Sequence, residues 1–187
     1  EYKLAPEFRD LNQMDIQEWF QKTAEQILKL YKLTIEEDPI YGEMGTTICA
    51  AVGVGNKVYI ANIGDSRAYV LYNNKLTQIT DDHTVANQLF KQGEISKKEL
   101  LTSPYNSVLI NVFGYKKNFT IDWFSTELFA GSKIILMSDG IYSELSNSEI
   151  VRIIANSSSV ESAVIGICDA ENMNGGRDNN TILIGEF

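Results

Sequence analysis

Three aspartates stand where apolar or β-rich runs of the sequence stop. They are Asp65 between two β-rich runs, Asp139 just after the apolar residues 134–137, and Asp178 just before the apolar residues 181–187. A carboxylate at the end of a buried strand is held by a rigid scaffold and still faces water, which suits a hard cation. Taken alone, Asp139 followed by Gly140 would be better explained as an ordinary turn. All three aspartates in one β-rich domain favour a divalent-metal pocket with oxygen ligands and retained waters.

His83 is the only histidine in the sequence. Without a second histidine or paired thiolates, a zinc site is poorly supported. A Ser-His-Asp triad is equally poorly supported, because the sequence contains no nucleophile elbow. We therefore interpret His83 as a structural link between the segment that follows it and the sheet, with a catalytic role as the alternative.

The composition is that of an ordinary globular protein with one domain. The chain has 187 residues, of which 44% are hydrophobic and 22% are charged, so residues 1–187 are treated as a single domain. The net charge of −9 and a pI near 4.6 argue against a nucleic-acid surface. Cys49 and Cys168 lie among small apolar residues and are expected to be reduced. Since neither a membrane-spanning run nor a signal-peptide pattern is seen, the expected location is cytoplasmic.

The first element is predicted to be a long helix. Apolar residues recur at helical spacing from Ile16 to Tyr31. Asp15 with Glu18 matches a capping box, so the helix is expected to open at Asp15. The acidic residues before Pro39 are expected to end it in a solvated loop.

From Gly45 the pattern changes to short β-rich runs separated by turns. These runs cover residues 46–54, 57–63, 68–72, 75–80, 121–128, 134–137 and 181–187. Consecutive strands with tight turns predict an antiparallel meander and not the βαβ alternation of a parallel sheet. Two helices are expected before the last strand, one from the capping box at Ser146 and one from Val160 to Ala170. The sequence therefore predicts an α+β fold.

Residues 81–113 form a long polar excursion between two predicted strands. An excursion of this length is more often a functional lid than a structural necessity. Its polarity and its lack of a sustained apolar period leave little to bury. We therefore predict that residues 84–113 form a flap that is less ordered than the strands around it.

Five segments resemble, in order, the motifs of the metal-dependent type-2C serine/threonine protein phosphatases. They are residues 44–47 (Met-Gly-Thr-Thr), 61–69 (Ala-Asn-Ile-Gly-Asp-Ser-Arg-Ala-Tyr), 82–84 (Asp-His-Thr), 136–140 (Leu-Met-Ser-Asp-Gly) and 175–181 (Gly-Gly-Arg-Asp-Asn-Asn-Thr). The spacing is similar to that of the compact bacterial members, and the resemblance covers nearly the whole chain. The family fold is a two-layer antiparallel β-sandwich flanked by helices, which agrees with the predicted meander and helices.

The resemblance implies hydrolysis of phosphoserine and phosphothreonine in proteins by a metal-activated water, with Mn²⁺ or Mg²⁺ as cofactor. It makes Asp139 and Asp178 the catalytic residues and the ligands of two core ions. Asp65 with Asp139 would serve a third, more labile ion, and Asn179 would steady Asp178. The partners that the resemblance implies are phosphoprotein substrates and a serine/threonine kinase that shares these targets.

Before Met44 the chain departs from the family pattern. Family members begin with strands that carry a phosphate-holding arginine and a Glu-Asp pair. A turn similar to Asp-Gly-Met-Gly-Gly-His follows, and its aspartate bridges the two core metals. Here Asp-Gly occurs once, at Asp139 and Gly140. We therefore expect that the chain begins after these motifs and that these 187 residues alone are poorly active. Without the bridging carboxylate, Asp139 and Asp178 repel each other and have weakened means of holding two cations, but weak binding of one cation should remain.

Three interpretations are open on the sequence. The first is an active phosphatase of which these residues are an incomplete part. The second is a pseudophosphatase, in which the fold serves as a binding or regulatory module. The third is a plain α+β domain whose motifs are structural. The presence of all three aspartates favours the first, since a module without metal chemistry would have little physical need for them.

Overall fold

Two antiparallel sheets lie face to face, and helices cover their outer faces. A computed structural model describes residues 12–114 and 118–187. In chain order the strands are β1 (Ile48–Val54), β2 (Lys57–Ile63), β3 (Arg67–Tyr72), β4 (Lys75–Gln78), β5 (Asp122–Glu127), β6 (Lys133–Met137) and β7 (Ile182–Glu186). The helices are α1 (Gln13–Glu37), α2 (Val85–Lys91), α3 (Lys97–Thr102), α4 (Asp139–Glu144), α5 (Asn147–Asn156) and α6 (Val160–Asn174), and a 3₁₀-helix covers Pro39–Glu43.

The strand order is β1-β2-β5 in one sheet and β4-β3-β6-β7 in the other. Every neighbouring pair of strands is antiparallel. The chain crosses from the first sheet to the second between β2 and β3, and β6 lies between β3 and β7. The predicted fold class, an α+β fold with a two-layer antiparallel sandwich flanked by helices, is confirmed.

Alternate side chains of the strands build three separate cores. In β6, Ile134 packs with residues of the other sheet, whereas Ile135 packs with the buried faces of α4, α5 and α6. The third core lies between α1 and the first sheet, where Ala24 meets Ile63 and Phe113. Strand β6 is thus apolar on both faces, which explains its uninterrupted apolar run.

Helix α1 begins earlier than the sequence predicted. Asn12 is its N-cap, and the Asn12 side chain accepts hydrogen bonds from the N–H groups of Met14 at 2.8 Å and Asp15 at 3.2 Å. The Asp15 carboxylate accepts the Asn12 N–H in return, at 2.9 Å. The prediction that Asp15 opens the helix was wrong, because asparagine caps a helix as well as aspartate does and Asn12 stands three residues earlier.

The segment between β4 and β5 contains two short helices, α2 and α3. At its base, Thr84 pairs with Leu109, and Ala86 is fully buried. Farther out, Leu101 is 74% exposed and Tyr105 is 51% exposed. The predicted flap therefore has a fixed base and an exposed tip, and its greater mobility stays a prediction.

Cys49 and Cys168 are free thiols. Burial raises the pKa of Cys49 to about 12, so this thiol is protonated and unreactive at neutral pH. Over residues 12–114 and 118–187, none of the helices has the length and apolar character needed to cross a membrane.

Candidate active site

Asp139 is the first residue of α4, so strand β6 leads into a helix and not into a turn. Ser138 occupies the N-cap position, and the Asp139 Oδ1 accepts the N–H of Gly140 at 3.1 Å. A carboxylate in the first turn of a helix is favoured by the helix dipole. The turn alternative considered for Asp139 and Gly140 therefore does not describe this segment.

Gly140 lies directly against the segment that carries Asp178. A Cβ atom on Gly140 would stand 2.5 Å from the carbonyl oxygen of Asn179 and 3.4 Å from the Cα of Asn180. Contacts this short exclude any side chain. Gly140 is required by this close approach and not by the backbone freedom of a sharp turn.

Two hydrogen bonds fasten the same two segments beside Gly140. The Ser138 N–H donates to the carbonyl of Thr181, and the Thr181 N–H donates to the Ser138 Oγ, both at 3.0 Å. The end of β6 and the start of β7 therefore lie side by side, which brings the Asp139 and Asp178 segments together. Asp178 is exposed, and its Oδ1 accepts the N–H of Asn179 at 2.7 Å. The role of both carboxylates as metal ligands stays a prediction.

Asp65 lies at the corner where the chain passes from one sheet to the other. It is 6% exposed. Burial, and then the negative charges of Asp139 and Asp82, raise the pKa of Asp65 to about 6. Like charges this close favour either a bound proton or a bound cation. Asp65 therefore belongs to the same electrostatic environment as Asp139.

A buried network ties this corner to α4. Arg67 forms a two-pronged ion pair with Asp82, with Nη2 to Oδ2 at 2.6 Å and Nε to Oδ1 at 2.9 Å. The Arg67 guanidinium also lies 3.5 Å from the ring centroid of Tyr142, whose hydroxyl donates to the carbonyl of Asp65 at 2.9 Å. Because Tyr142 is three residues after Asp139 in α4, the network sets the distance between α4 and the Asp65 corner.

Burial by itself would lower the pKa of Arg67, but the hydrogen bond and charge of Asp82 outweigh it, and the pKa is raised. The guanidinium therefore stays charged. These roles of Arg67, Asp82 and Tyr142 were not predicted from the sequence. A charged residue beside apolar strand residues could have indicated an ion pair for Arg67, but no spacing rule reveals the contact between Tyr142 and the Asp65 carbonyl.

His83 links the base of the flap to Gly64, which follows β2, and to Asp122 in β5. Its Nδ1 accepts the N–H of Gly64 at 3.0 Å, and its Nε2 lies 3.1 Å from the Asp122 Oδ2. Its carbonyl accepts the N–H of Ile110 at 2.9 Å. With Nδ1 acting as an acceptor, the ring proton stands on Nε2 and is directed at Asp122. These contacts support the structural interpretation of His83.

The chemistry of the three aspartates suits a hard divalent cation. Asp139 is the shared member, because it adjoins the Asp178 segment and interacts electrostatically with Asp65. Within the two described ranges, no group of three or more His, Cys, Asp or Glu side chains could hold a metal ion. A cation that keeps several of its waters needs only one or two carboxylates from the protein, and Asp139 with Asp178 or Asp65 is suited to such a cation.

Comparisons with known proteins agree with the motifs and the fold. Residues 1–89 match the family model for Protein phosphatase 2C. The serine/threonine phosphatase Stp of Listeria monocytogenes serotype 4b is 32% identical over 172 residues, which span 92% of this chain and 68% of that protein.

Two solved structures extend the likeness to three dimensions. The serine/threonine phosphatase Stp1 from Staphylococcus aureus has a TM-score of 0.84 and 29% identity, over 95% of this chain and 70% of that one. The catalytic domain of the serine/threonine protein phosphatase PstP, in complex with two manganese ions, has a TM-score of 0.72 and 28% identity, over 85% of this chain and 66% of that one.

Proposed function

Because the chain belongs to the protein phosphatase 2C family, we infer that it is a serine/threonine protein phosphatase and that phosphoproteins are its substrates. The similarity to the Listeria phosphatase covers 92% of this chain, and the similarity to the Staphylococcus enzyme includes the fold at a TM-score of 0.84. An active phosphatase, the first of the three interpretations of the sequence, is thereby favoured over a plain structural domain.

The observation that carries the proposed mechanism is the packing of Gly140 against the Asn179 carbonyl. This contact puts the start of α4, with Asp139, beside the segment with Asp178. We propose that Asp139 and Asp178 hold two core ions, Mn²⁺ or Mg²⁺, and that Asp65 with Asp139 serves a labile third. The two manganese ions of the PstP structure support the choice of metal.

When bound, the divalent cations would supply an activated water and would neutralise charge on the transferred phosphoryl group. The chain's own residues hold the acids in place for that task. Ser138 and Thr181 fasten the two segments to each other. The Gly140 N–H orients one oxygen of Asp139, and Tyr142 fixes α4 against the Asp65 corner.

A kinase that shares the phosphoprotein targets and a cytoplasmic location belong to the same proposal. Free thiols at Cys49 and Cys168 support a reducing compartment. Neither part is needed for the chemistry of the site.

The proposed function is tested by hydrolysis of a phosphoserine peptide over a titration with Mn²⁺ and with Mg²⁺. Asp139→Asn and Asp178→Asn should each lower kcat/KM by about 100-fold or more at saturating metal, because even groups that act only through a ligand cost about 10–100-fold. Asp65→Asn should mainly raise the metal concentration needed for half-maximal rate.

The matched control is Asp169→Asn, which removes an exposed carboxylate from α6 and should leave kcat/KM as in the parent. Full activity of Asp139→Asn would refute the ligand assignment. A full-length protein, with the family's N-terminal motifs present, that stays inert at saturating Mn²⁺ would favour the pseudophosphatase.

A further inference from the structure

Glu171 is an acid buried in the last turn of α6. Its side chain has no exposed surface. Its Oε2 accepts a hydrogen bond from the Asn180 Nδ2 at 2.5 Å. Its Oε1 is buried without a hydrogen-bond partner among the residues that the structure describes. Burying a half-paired carboxylate is unfavourable, and an apolar residue of similar volume often fits such a place at lower cost. Stability alone therefore does not explain Glu171.

Asn180 is where this buried acid meets the active site. It is half-buried, stands two residues after Asp178, and its Cα would be 3.4 Å from a Cβ on Gly140. The hydrogen bond to Glu171 thus acts on the same piece of backbone that packs against the start of α4. Glu171 is therefore connected to Asp178 through two residues, Asn180 and Asn179.

The segment between α6 and β7 has little else to hold it. Residues 175–181 are neither helix nor strand. Thr181 is hydrogen-bonded to Ser138, but it lies three residues after Asp178. The ion pair between Arg177 and Glu144 spans 3.7 Å, and the Arg177 side chain is 79% exposed, so it contributes little.

We propose that Glu171 is a positioning residue for Asp178: through Asn180 it fixes the backbone of residues 178–180 against Gly140. The proposal rests on the proposed metal role of Asp178. The side chain of Asp178 is exposed and bonds to its own neighbour's N–H, so the backbone sets where its carboxylate stands. Residues that orient a metal ligand from behind commonly affect metal affinity nearly as much as the ligand does.

The test compares two substitutions at Glu171 with a control on the same helix. Glu171→Leu keeps the volume and removes the acceptor, whereas Glu171→Gln keeps an oxygen acceptor for Asn180 and removes the charge. Glu161→Leu makes the same change at an exposed position in the first turn of α6. For each protein, Mn²⁺ affinity is measured by electron paramagnetic resonance of the free ion, and melting is measured in the presence of a chelator.

Glu171→Leu should weaken Mn²⁺ binding and lower kcat for a phosphoserine peptide by about tenfold each, with little change in KM. Its melting temperature without metal should equal or exceed that of the parent. Glu171→Gln should stay within about threefold of the parent in Mn²⁺ affinity, because the acceptor is kept. Glu161→Leu should match the parent in Mn²⁺ affinity and in kcat, and its melting temperature should fall slightly because the first turn of α6 loses a carboxylate. Hydrogen exchange of the Thr181 backbone amide should be faster than in the parent in Glu171→Leu, and unchanged in Glu171→Gln and Glu161→Leu.

A merely structural role predicts the opposite pattern, in which Glu171→Leu melts at a lower temperature and binds Mn²⁺ as the parent does. That result would overturn the proposal. Asp178→Asn distinguishes a failure of the proposed function from a failure of the positioning role. If Asp178→Asn binds Mn²⁺ as the parent does, the proposed function fails. If Asp178→Asn weakens binding and Glu171→Leu does not, the positioning role alone fails.

A second variant keeps the test decisive if Glu171→Leu does not fold. Asn180→Ser leaves Glu171 in place and shortens the side chain that reaches it. It should weaken Mn²⁺ binding by about tenfold, as expected for a group that orients a ligand. Parent-like Mn²⁺ affinity of Asn180→Ser would overturn the proposal.

Discussion

At the residue scale, Asp65 holds a negative charge in an unfavourable place. Burial and the charges of Asp139 and Asp82 raise its pKa from the ordinary 3.8 to about 6. The Asp65 carboxylate therefore binds a proton more tightly in the folded protein than in the unfolded chain. The contribution of Asp65 to stability is fully present below about pH 4 and is lost as the pH rises through about 6.

Asp65→Asn should remove the loss of stability that the metal-free protein undergoes as the pH rises through about 6. At pH 7 the free energy of unfolding of the variant should exceed that of the parent by up to about 3 kcal/mol. Below pH 4 the two should agree. Denaturant unfolding from pH 3.5 to pH 8 in the presence of a chelator provides the measurement. A parent whose stability rises between pH 4 and pH 7 relative to the variant would contradict the assignment.

Gly140→Ala tests the close approach of the two aspartate segments. The added methyl group would meet the Asn179 carbonyl at 2.5 Å, and such overpacking costs about 1–3 kcal/mol of unfolding free energy. The Asp178 segment should move away, so metal-dependent activity should fall as well. Gly45→Ala is the matched control, because its Cβ would stand 3.5 Å from the nearest atoms, an ordinary contact. Equal stability and activity of the two variants would disprove the packing argument.

Single residues also show what the sequence could and could not reveal. Asp139 and Asp178 were found because each stands beside an apolar run. Glu171 was not found, because a glutamate is expected to face water, although it follows Ala163 and Ile167 at intervals of four and therefore lies on the apolar face of α6. The reason for Gly140 was missed for a similar cause, since the Asn179 carbonyl comes from a segment almost forty residues away.

At the element scale, α4 has six residues and begins with Asp139. A helix this short is marginal without tertiary contacts. Its contacts with the rest of the protein include the Tyr142 hydroxyl on the Asp65 carbonyl and the Tyr142 ring on Arg67. Burial raises the pKa of the Tyr142 hydroxyl, so it remains a donor at neutral pH. The position of α4 should therefore depend in part on this side chain, together with the buried face of the helix.

Tyr142→Phe should cost about 1 kcal/mol of unfolding free energy, because it removes one buried hydrogen bond and keeps the ring beneath the guanidinium. Tyr142→Ala should cost about 3 kcal/mol or more, because the ring and the cation–π contact are lost too. Both variants should weaken the response of activity to Mn²⁺. Tyr72→Phe, at an exposed site in β3, is the control. A harmless Tyr142→Ala would show that α4 is held by other contacts.

The flap is the second element with a testable attachment. His83 joins Gly64, Ile110 and Asp122 at its base. His83→Ala keeps the backbone bond to Ile110 but leaves the Gly64 N–H and the Asp122 carboxylate without their imidazole partner, so the base should open more often. Trypsin should then cleave after Lys91 or Lys97, in exposed residues, faster than in the parent. Gln88→Ala, an exposed change in α2, should not alter the rate. Unchanged cleavage of His83→Ala would argue against an anchoring role.

Elements were predicted better where a local pattern decides them. The strands and the capping box at Ser146 follow from alternation and spacing, and they are confirmed. The start of α1 was misplaced because Asn12 and Asp15 both match a capping signal and only the folded chain selects one. The links between elements, such as His83 with Asp122, depend on tertiary distances that no local pattern contains.

At the scale of the whole molecule, three chain crossings meet at the proposed site. Asp65 stands where β2 passes to β3, Asp139 where β6 passes to α4, and Asp178 where α6 passes to β7. The net charge of −9 adds to the repulsion among them. A cation bound at this junction would link both sheets and relieve that repulsion at once. Metal binding should therefore be coupled to the stability of the entire fold.

The melting temperature should accordingly rise with Mn²⁺ concentration. A ligand that binds the folded state alone adds about 2.7 kcal/mol at 100 times its dissociation constant. Asp139→Asn should abolish most of the rise, because Asp139 adjoins both other acids, and Asp178→Asn should reduce it strongly. Asp65→Asn should reduce it least, since it is assigned to the labile ion. NaCl at matched ionic strength separates site binding from screening, which should give a smaller and equal shift in all four proteins. An Mn²⁺-dependent rise that survives in Asp139→Asn would place the cation elsewhere and remove Asp139 from the centre of the site.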